Sequence, residues 1–422
     1  MSCHKCRILK SDGCEMEIGV KKNLLIVLLL AAVLTFAACT ADKTSTDSTK
    51  TPASVVTISI SEDPIIVSVP DETSASTSTE PEKEPEAEPE VEENHEGMVR
   101  SDLTNMWIDA SLENQRPVAI MVDNEKNALP HYGTSDADIV YEMINSTLNN
   151  RVTRLMCIVK DWKNIEQFGN IRSTRSTNCI IFPEYNAILV HDGGPSIYIN
   201  QWLSQDICKQ HLSGGFARFD NGKAWTYKEF VTADSYTGIN KSGEPTKYSG
   251  LISRIEKAKY STEYNKYYMG KHFRFADKDL SLKDMKKAKE ANLIDLPFSH
   301  NQTELHYNEE TQTYEYYEYG KEYYDALYGD ENRKMTFKNV ILYTAPIEKF
   351  DDNGYMCYYA IGSGEGYFIT DGYAVPITWS KKDVESLTVF KNAATKEEIT
   401  LNTGKTYIAL VPSDDWSKLV IE

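Results

Sequence analysis

Residues 40–99 constrain this chain most. They consist largely of Thr, Ser, Pro and Glu and end in EPEKEPEAEPEVEENHEG, from Glu80 to Gly97. Such a composition cannot bury enough apolar surface to offset chain entropy, and its like charges repel and extend it. A segment of this kind is expected to be a disordered acidic tether. The patches Ser54 to Ile60 and Pro64 to Val69 are strand-like interruptions within it. Any fold must therefore be built from the residues after about 100, which is still enough chain for two domains. The tether also carries much of the net charge of −18, so the charge says little about the folded part. No basic stripe of the kind phosphate-backbone binding needs is present, and a nucleic-acid partner is not expected.

What precedes the tether explains why it is there. Lys21 and Lys22 are followed by an apolar run from Leu24 to Phe36, broken only by Thr35, then by Ala37, Ala38 and Cys39. The run is short for a bilayer span, and its flanks are those of a secretory signal. Its end resembles a bacterial lipobox, with Phe36 where that pattern usually has Leu. Residues 1–39 are thus expected to be a signal, with Cys39 as the lipidated residue. Met16 competes with Met1 as the start. A diacylated cysteine anchors stably, and the tether would hold the domain away from the outer face of the membrane. A plain signal peptide or an uncleaved anchor is the alternative. Cys157, Cys179, Cys208 and Cys357 are widely spaced in the folded part and read as buried free thiols. Cys3 and Cys6 form a pair with no second pair at zinc-site spacing.

From Arg100 the pattern is strand, loop and helix. Arg116 to Asp123, Ile139 to Ile144, Thr153 to Asp161 and Asn186 to His191 are short apolar runs that read as buried strands. The second and third flank an expected hairpin. After His191, Gly193 and Gly194 form a turn, Pro195 suits a first helical position, and Ile199, Trp202, Leu203 and Ile207 follow at helical spacing. Ser249 to Ala258 reads as a helix capped by Ser249, and SLKDMKKAKEANL, ending at Leu293, as another. After Leu296 the period drops to two. The segment Thr303 to Asp325 has hairpin spacing with a turn at Asn308 to Thr311. More than half of the 26 tyrosines lie after His300, as suits a pleated half-buried surface. The expected architecture is an α/β domain over residues 100–280 followed by a mostly antiparallel β domain over 281–422.

RPVAIMVDN (Arg116 to Asn124), ADIVYE (Ala137 to Glu142), TRLMCIV (Thr153 to Val159), GNIRSTR (Gly169 to Arg175) and ILVHDGGPS (Ile188 to Ser196) together resemble the N-terminal domain of the YerB-like lipoproteins. FKNVILY (Phe337 to Tyr343), GSGEGYFITDG (Gly362 to Gly372), ITWSK (Ile377 to Lys381) and the ITLNTGKTYIALVP end resemble the C-terminal domain of the same family. The resemblance covers most of residues 100–418. It implies a Gram-positive surface lipoprotein with a two-part domain of unknown function. Where the family pattern has a His-Asn-Leu-Tyr block, this chain has VTADSYTG from Val231 to Gly238. The resemblance supplies no activity.

Polar chemistry is densest between Gly169 and Ser196. Arg172 and Arg175 are three apart and would share one face of a helix. Guanidinium groups suit carboxylate or phosphate, and a Gly-Gly turn leading into a helix N-terminus adds backbone donors. One reading is an anionic ligand, an envelope component or small molecule, held by Arg172, Arg175, His191, Gly193, Gly194 and Ser196. The other is that both arginines pair with Asp123 and Glu142 and tie strands together. His191, Asp123 and Glu142 are also the candidate acid-base residues of an envelope hydrolase. No spacing marks them as metal ligands, and neither a metal nor a cofactor is expected. Ser173 and Ser196 lack the G-x-S-x-G setting of an elbow hydrolase. A scaffold that binds a surface protein without a pocket is the third reading.

Overall fold

The computed structural model describes residues 95–331 and 333–422. The signal, Cys39 and the strand-like patches of the tether lie outside the described residues. No helix among the described residues is long and apolar enough to cross a membrane.

Among the described residues, one mixed sheet of eleven strands carries the site. Its first-half strands are β1 (Val118–Asp123), β2 (Ile139–Ile144), β3 (Thr153–Val159), β4 (Ile188–His191) and β5 (His211–Ser213). Its second-half strands are β6 (Lys289–Glu290), β7 (Asn339–Ala345), β8 (Gly362–Thr370), β9 (Tyr373–Lys381), β10 (Val389–Asn392) and β11 (Thr406–Pro412). The spatial order is β6-β9-β8-β7-β11-β2-β3-β1-β4-β5, with β10 also paired to β9. β11 lies parallel to both β7 and β2 and so joins strands from either side of residue 280. β2 and β3 form the expected antiparallel hairpin, while β1, β4 and β5 run parallel to one another.

Continuous apolar runs fit this arrangement because both faces of the central strands are covered. Every residue of β1, β2, β3 and β4 is buried, and each fully buried Val, Leu or Ile contributes roughly 1.5–3 kcal/mol. A second sheet packs nearby, built on the hairpin Glu304–Asn308 and Thr313–Glu318 with its turn where expected. Its Tyr314 and Tyr316 are buried, and Tyr316 meets Tyr407 of β11 with ring centroids 6.0 Å apart. The C-terminal half is β-rich, as expected.

Three expectations are corrected. The N-terminal half is also strand-rich. Its helices are short: α1 (Ser176–Ile181), α2 (Ser196–Leu203), α3 (Leu251–Ala258) and a single turn at Leu148–Arg151. No helix forms between Leu280 and Leu293. There Leu282 and Ala291 are buried by turns, and Lys289–Glu290 instead pairs as a short edge strand with β9. The cap of α3 is Gly250, not Ser249, and the position needs glycine, since an added Cβ would sit 2.2 Å from the Asp234 carbonyl. The cysteines at 157, 179 and 208 are free and buried, and Cys357 is buried.

Candidate functional site

The site forms where β1 and β4 part. They are in register from Val118↔Ile188 to Ile120↔Val190. Beyond that point residues 170–174 wedge between the strand ends. The Asp123 N–H donates to the Asn170 carbonyl and the Arg172 N–H to that of Met121, at 2.9 and 3.0 Å. On the other side the Asp192 N–H donates to Arg172 and the Thr174 N–H to Gly193, at 3.0 and 3.1 Å. Ligand sites of open α/β sheets lie beyond the carboxyl ends of such diverging parallel strands.

This wedge is extended backbone, so Arg172 and Arg175 do not share a helical face. Arg175 is the extended residue before α1, and its own N–H is capped by Asn178 Oδ1 at 3.1 Å. Likewise α2 starts at Ser196 rather than Pro195. Two glycines shape the turn before it. Gly193 has φ +71° and its carbonyl accepts from both Thr174 and His191; Gly194 has φ +152° and lies against Thr174 and Ile199. Ser196 is exposed at the start of α2.

Strand parity sorts the candidates. Asp123 lies opposite Arg154 across β1 and β3, so both project from one face. Glu142 lies opposite Leu155 and projects from the other. Arg172 Nε sits 2.9 Å from Asp123 Oδ2, and Arg154 Nη2 is 3.7 Å from Asp123 Oδ1. Arg154 also donates to Asn145 Oδ1 at 2.8 Å and to the Ser173 carbonyl at 2.6 Å. Arg175 stacks over Tyr355 at 4.9 Å, donates to the Thr174 carbonyl at 2.9 Å, and has no carboxylate partner among the described residues. Burial, and then its neighbour Arg154, lower the Arg175 pKa to about 9, and burial lowers that of Arg154 to about 10. Both stay charged at neutral pH. The face thus holds three guanidinium groups and one carboxylate. Arg172 is about one-third exposed and opens the cluster to solvent.

Several buried polar atoms here lack partners. They include Nε of Arg154, Nε of Arg175 and both amide atoms of Asn170, which is fully buried. Asn170 lies across from Asp123 in the wedge and shares its face. Buried polar groups are ordinarily satisfied, so such a concentration calls for an explanation.

Glu142 and His191 are occupied elsewhere. The Glu142 carboxylate accepts from Thr153, Thr303, Asn124, Tyr316 and Tyr407 at 2.6–3.2 Å, between the main and second sheets. Burial raises its pKa, and these hydrogen bonds oppose the shift. It pairs with neither arginine. The His191 ring shares the face of Asp123, yet both nitrogens are engaged. Nδ1 lies 2.6 Å from the Gly193 carbonyl and Nε2 3.1 Å from His211 Nδ1. Burial lowers its pKa to about 4, so it is neutral. The structure therefore brings Arg172, Arg175, Asp123 and the Gly193–Gly194 turn together, and sets Glu142 apart. Arg154, Asn170 and Tyr355 complete the site and were not expected. A charged residue inside the apolar run TRLMCIV was the available signal for Arg154.

Residues 103–249 match the N-terminal domain, and residues 294–408 the C-terminal domain, of the family described as protein of unknown function (DUF3048). The chain belongs to this YerB-like two-part family. A relative in Bacillus subtilis (strain 168), named "Putative lipoprotein YerB", is 28% identical over 160 residues. The match covers 36% of this chain and spans 44% of that protein's length. The crystal structure of the YerB protein from Bacillus subtilis superposes with a TM-score of 0.60 at 19% identity, covering 77% of this chain and 99% of that one. At that identity the likeness establishes the YerB-like fold. All residues of the arginine face except Tyr355 fall within the N-terminal match.

Proposed function

We propose that the chain is a surface lipoprotein, anchored through Cys39 to the outer face of the membrane, whose arginine face holds an anionic envelope component or small molecule. The single observation that carries the ligand reading is the charge imbalance. Arg154 and Arg172 share the Asp123 carboxylate, and among the described residues Arg175 has no carboxylate partner. A cluster serving only to tie strands together would carry matching carboxylates, because an unpaired buried charge is strongly destabilising. The signal-like N-terminus and acidic tether support the anchoring, as does the name of the B. subtilis relative. The separation of Glu142 from Asp123 and His191 disfavours the hydrolase reading.

Arg172→Ala and Arg175→Ala are expected to abolish retention of anionic envelope extracts by the purified protein while leaving it folded. Unchanged retention with a lowered melting temperature would instead identify the arginines as structural. Cys39→Ala is expected to move the protein out of the membrane fraction, and continued retention would reject lipidation at that residue.

A further inference from the structure

Resting on the anion-site reading above, we infer that the ligand group is a phosphomonoester-type dianion, with Arg154 as a third contact residue beside Arg172 and Arg175. Three cations and the Asp123 carboxylate leave the face two charges positive. One carboxylate ligand would neutralise only half of this excess. A phosphomonoester carries close to two negative charges at neutral pH and three strong acceptor oxygens.

The donors also fit. A carboxylate is satisfied by one planar fork, whereas a tetrahedral group takes donors from several directions. Here three guanidinium groups arrive from three segments. Arg154 rises from β3, Arg172 from the wedge and Arg175 from the residue before α1. Each is restrained by groups that leave donors unused. Asp123 holds Arg172, the Ser173 carbonyl holds Arg154, and the Tyr355 ring holds Arg175. The unpartnered Nε atoms of Arg154 and Arg175 and Nδ2 of the buried Asn170 are donors in want of an acceptor. Asp123 acts here as a positioning residue, because its carboxylate would repel the ligand if it touched it.

The test is calorimetry on the purified full chain with three probes at equal ionic strength: phenyl phosphate, diphenyl phosphate and benzoate. They share an aromatic body and differ in the anionic group. Phenyl phosphate is expected to bind at least tenfold more tightly than either monoanion. Arg172→Met, Arg175→Met and Arg154→Lys should each weaken it at least tenfold. Arg154→Lys keeps the buried charge, so the chain stays folded, as circular dichroism would verify. Benzoate binding as tightly as phenyl phosphate, with both sensitive to the arginine variants, would overturn the phosphoryl assignment and leave the anion site standing. Diphenyl phosphate matching phenyl phosphate would overturn the dianion requirement in the same way. Binding of no probe, or binding unaffected by any arginine variant, would overturn both.

Discussion

Asp123 and Glu142 stand on strands flanking β3 and project from opposite faces of the sheet. One faces the arginines, and the other is sealed between two sheets. They therefore cannot act on one substrate, and substitutions at the two positions should have different consequences. Glu142→Ala removes the acceptor of five buried donors. It is expected to destabilise the protein by about 3–5 kcal/mol, the range for breaking a buried charged network. Glu142→Gln keeps one acceptor oxygen and should cost about half as much. Urea denaturation would show the loss, and phenyl phosphate affinity should be unchanged in whatever fraction remains folded. A Glu142→Gln variant that kept its stability and lost ligand binding would place Glu142 in the site after all.

Strands with continuous apolar runs carry no period, and were legible in the sequence because each is too short for a helix and is bounded by polar or turn residues. The hairpin at Asn308 to Thr311 was legible for the opposite reason, since its turn chemistry is local. The Leu280 to Leu293 segment misled because Leu282, Met285 and Ala288 carry helical spacing, yet pairing of Lys289 and Glu290 with β9 overrides that preference. The position of β11, parallel to strands from both halves, has no local signal. The arginine face was half legible. Arg172 and Arg175 announce themselves by proximity, but Arg154 joins them only through the pairing of β1 with β3.

The buried imidazole of His191 should make stability depend on acid. Its folded pKa is lowered to about 4 from an ordinary 6.5. The native state therefore prefers the neutral ring. This contribution is complete above pH 6.5 and is lost as pH falls toward 4. At 1.36 kcal/mol per unit, the loss is about 3 kcal/mol. Glu229, raised to about 7, and Asp138, raised to about 6, act with the opposite sign, since their contributions fade as pH rises. The wild-type profile alone is thus a mixture, and the difference from a variant is the cleaner measurement. His191→Gln should lose less stability than wild type between pH 7 and pH 4 in parallel urea titrations. Identical slopes would show that His191 titrates normally.

The turn glycines differ in what they tolerate. Both have left-handed backbone, but an added Cβ at Gly193 meets nothing closer than Ser173 Oγ at 3.8 Å. At Gly194 it would lie 2.7 Å from Ile199 Cδ1 and 2.9 Å from the Thr174 carbonyl. Gly193→Ala should cost about 1 kcal/mol, from backbone strain alone. Gly194→Ala should cost about 2–3 kcal/mol, because overpacking adds to the strain. Displacing Thr174 also shifts Arg175, so Gly194→Ala should weaken phenyl phosphate binding as well, while Gly193→Ala should not. Thermal unfolding and calorimetry on the two variants would separate these effects, and equal behaviour would remove the steric argument.

Arg175 and Asp123 should separate stability from binding most sharply. Asp123 is the only carboxylate that Arg154 and Arg172 have for an ion pair among the described residues. Asp123→Ala leaves the buried Arg154 unpaired and is expected to destabilise by about 3–5 kcal/mol. Arg175 is the opposite case. It has no carboxylate partner among the described residues, and Arg154 and Arg172 both disfavour its charge. Arg175→Met keeps an unbranched apolar stem, gives up the guanidinium's stacking on Tyr355 and removes the repulsion. Its denaturation midpoint should equal or exceed that of wild type, by up to about 1 kcal/mol, while affinity for phenyl phosphate falls at least tenfold. A residue retained at a cost to stability is what a binding site predicts, because its charge is balanced only when the ligand is present. If Arg175→Met were as destabilised as Asp123→Ala, the guanidinium would be part of the structural framework, and the anion site would have to rest on Arg172 and Arg154.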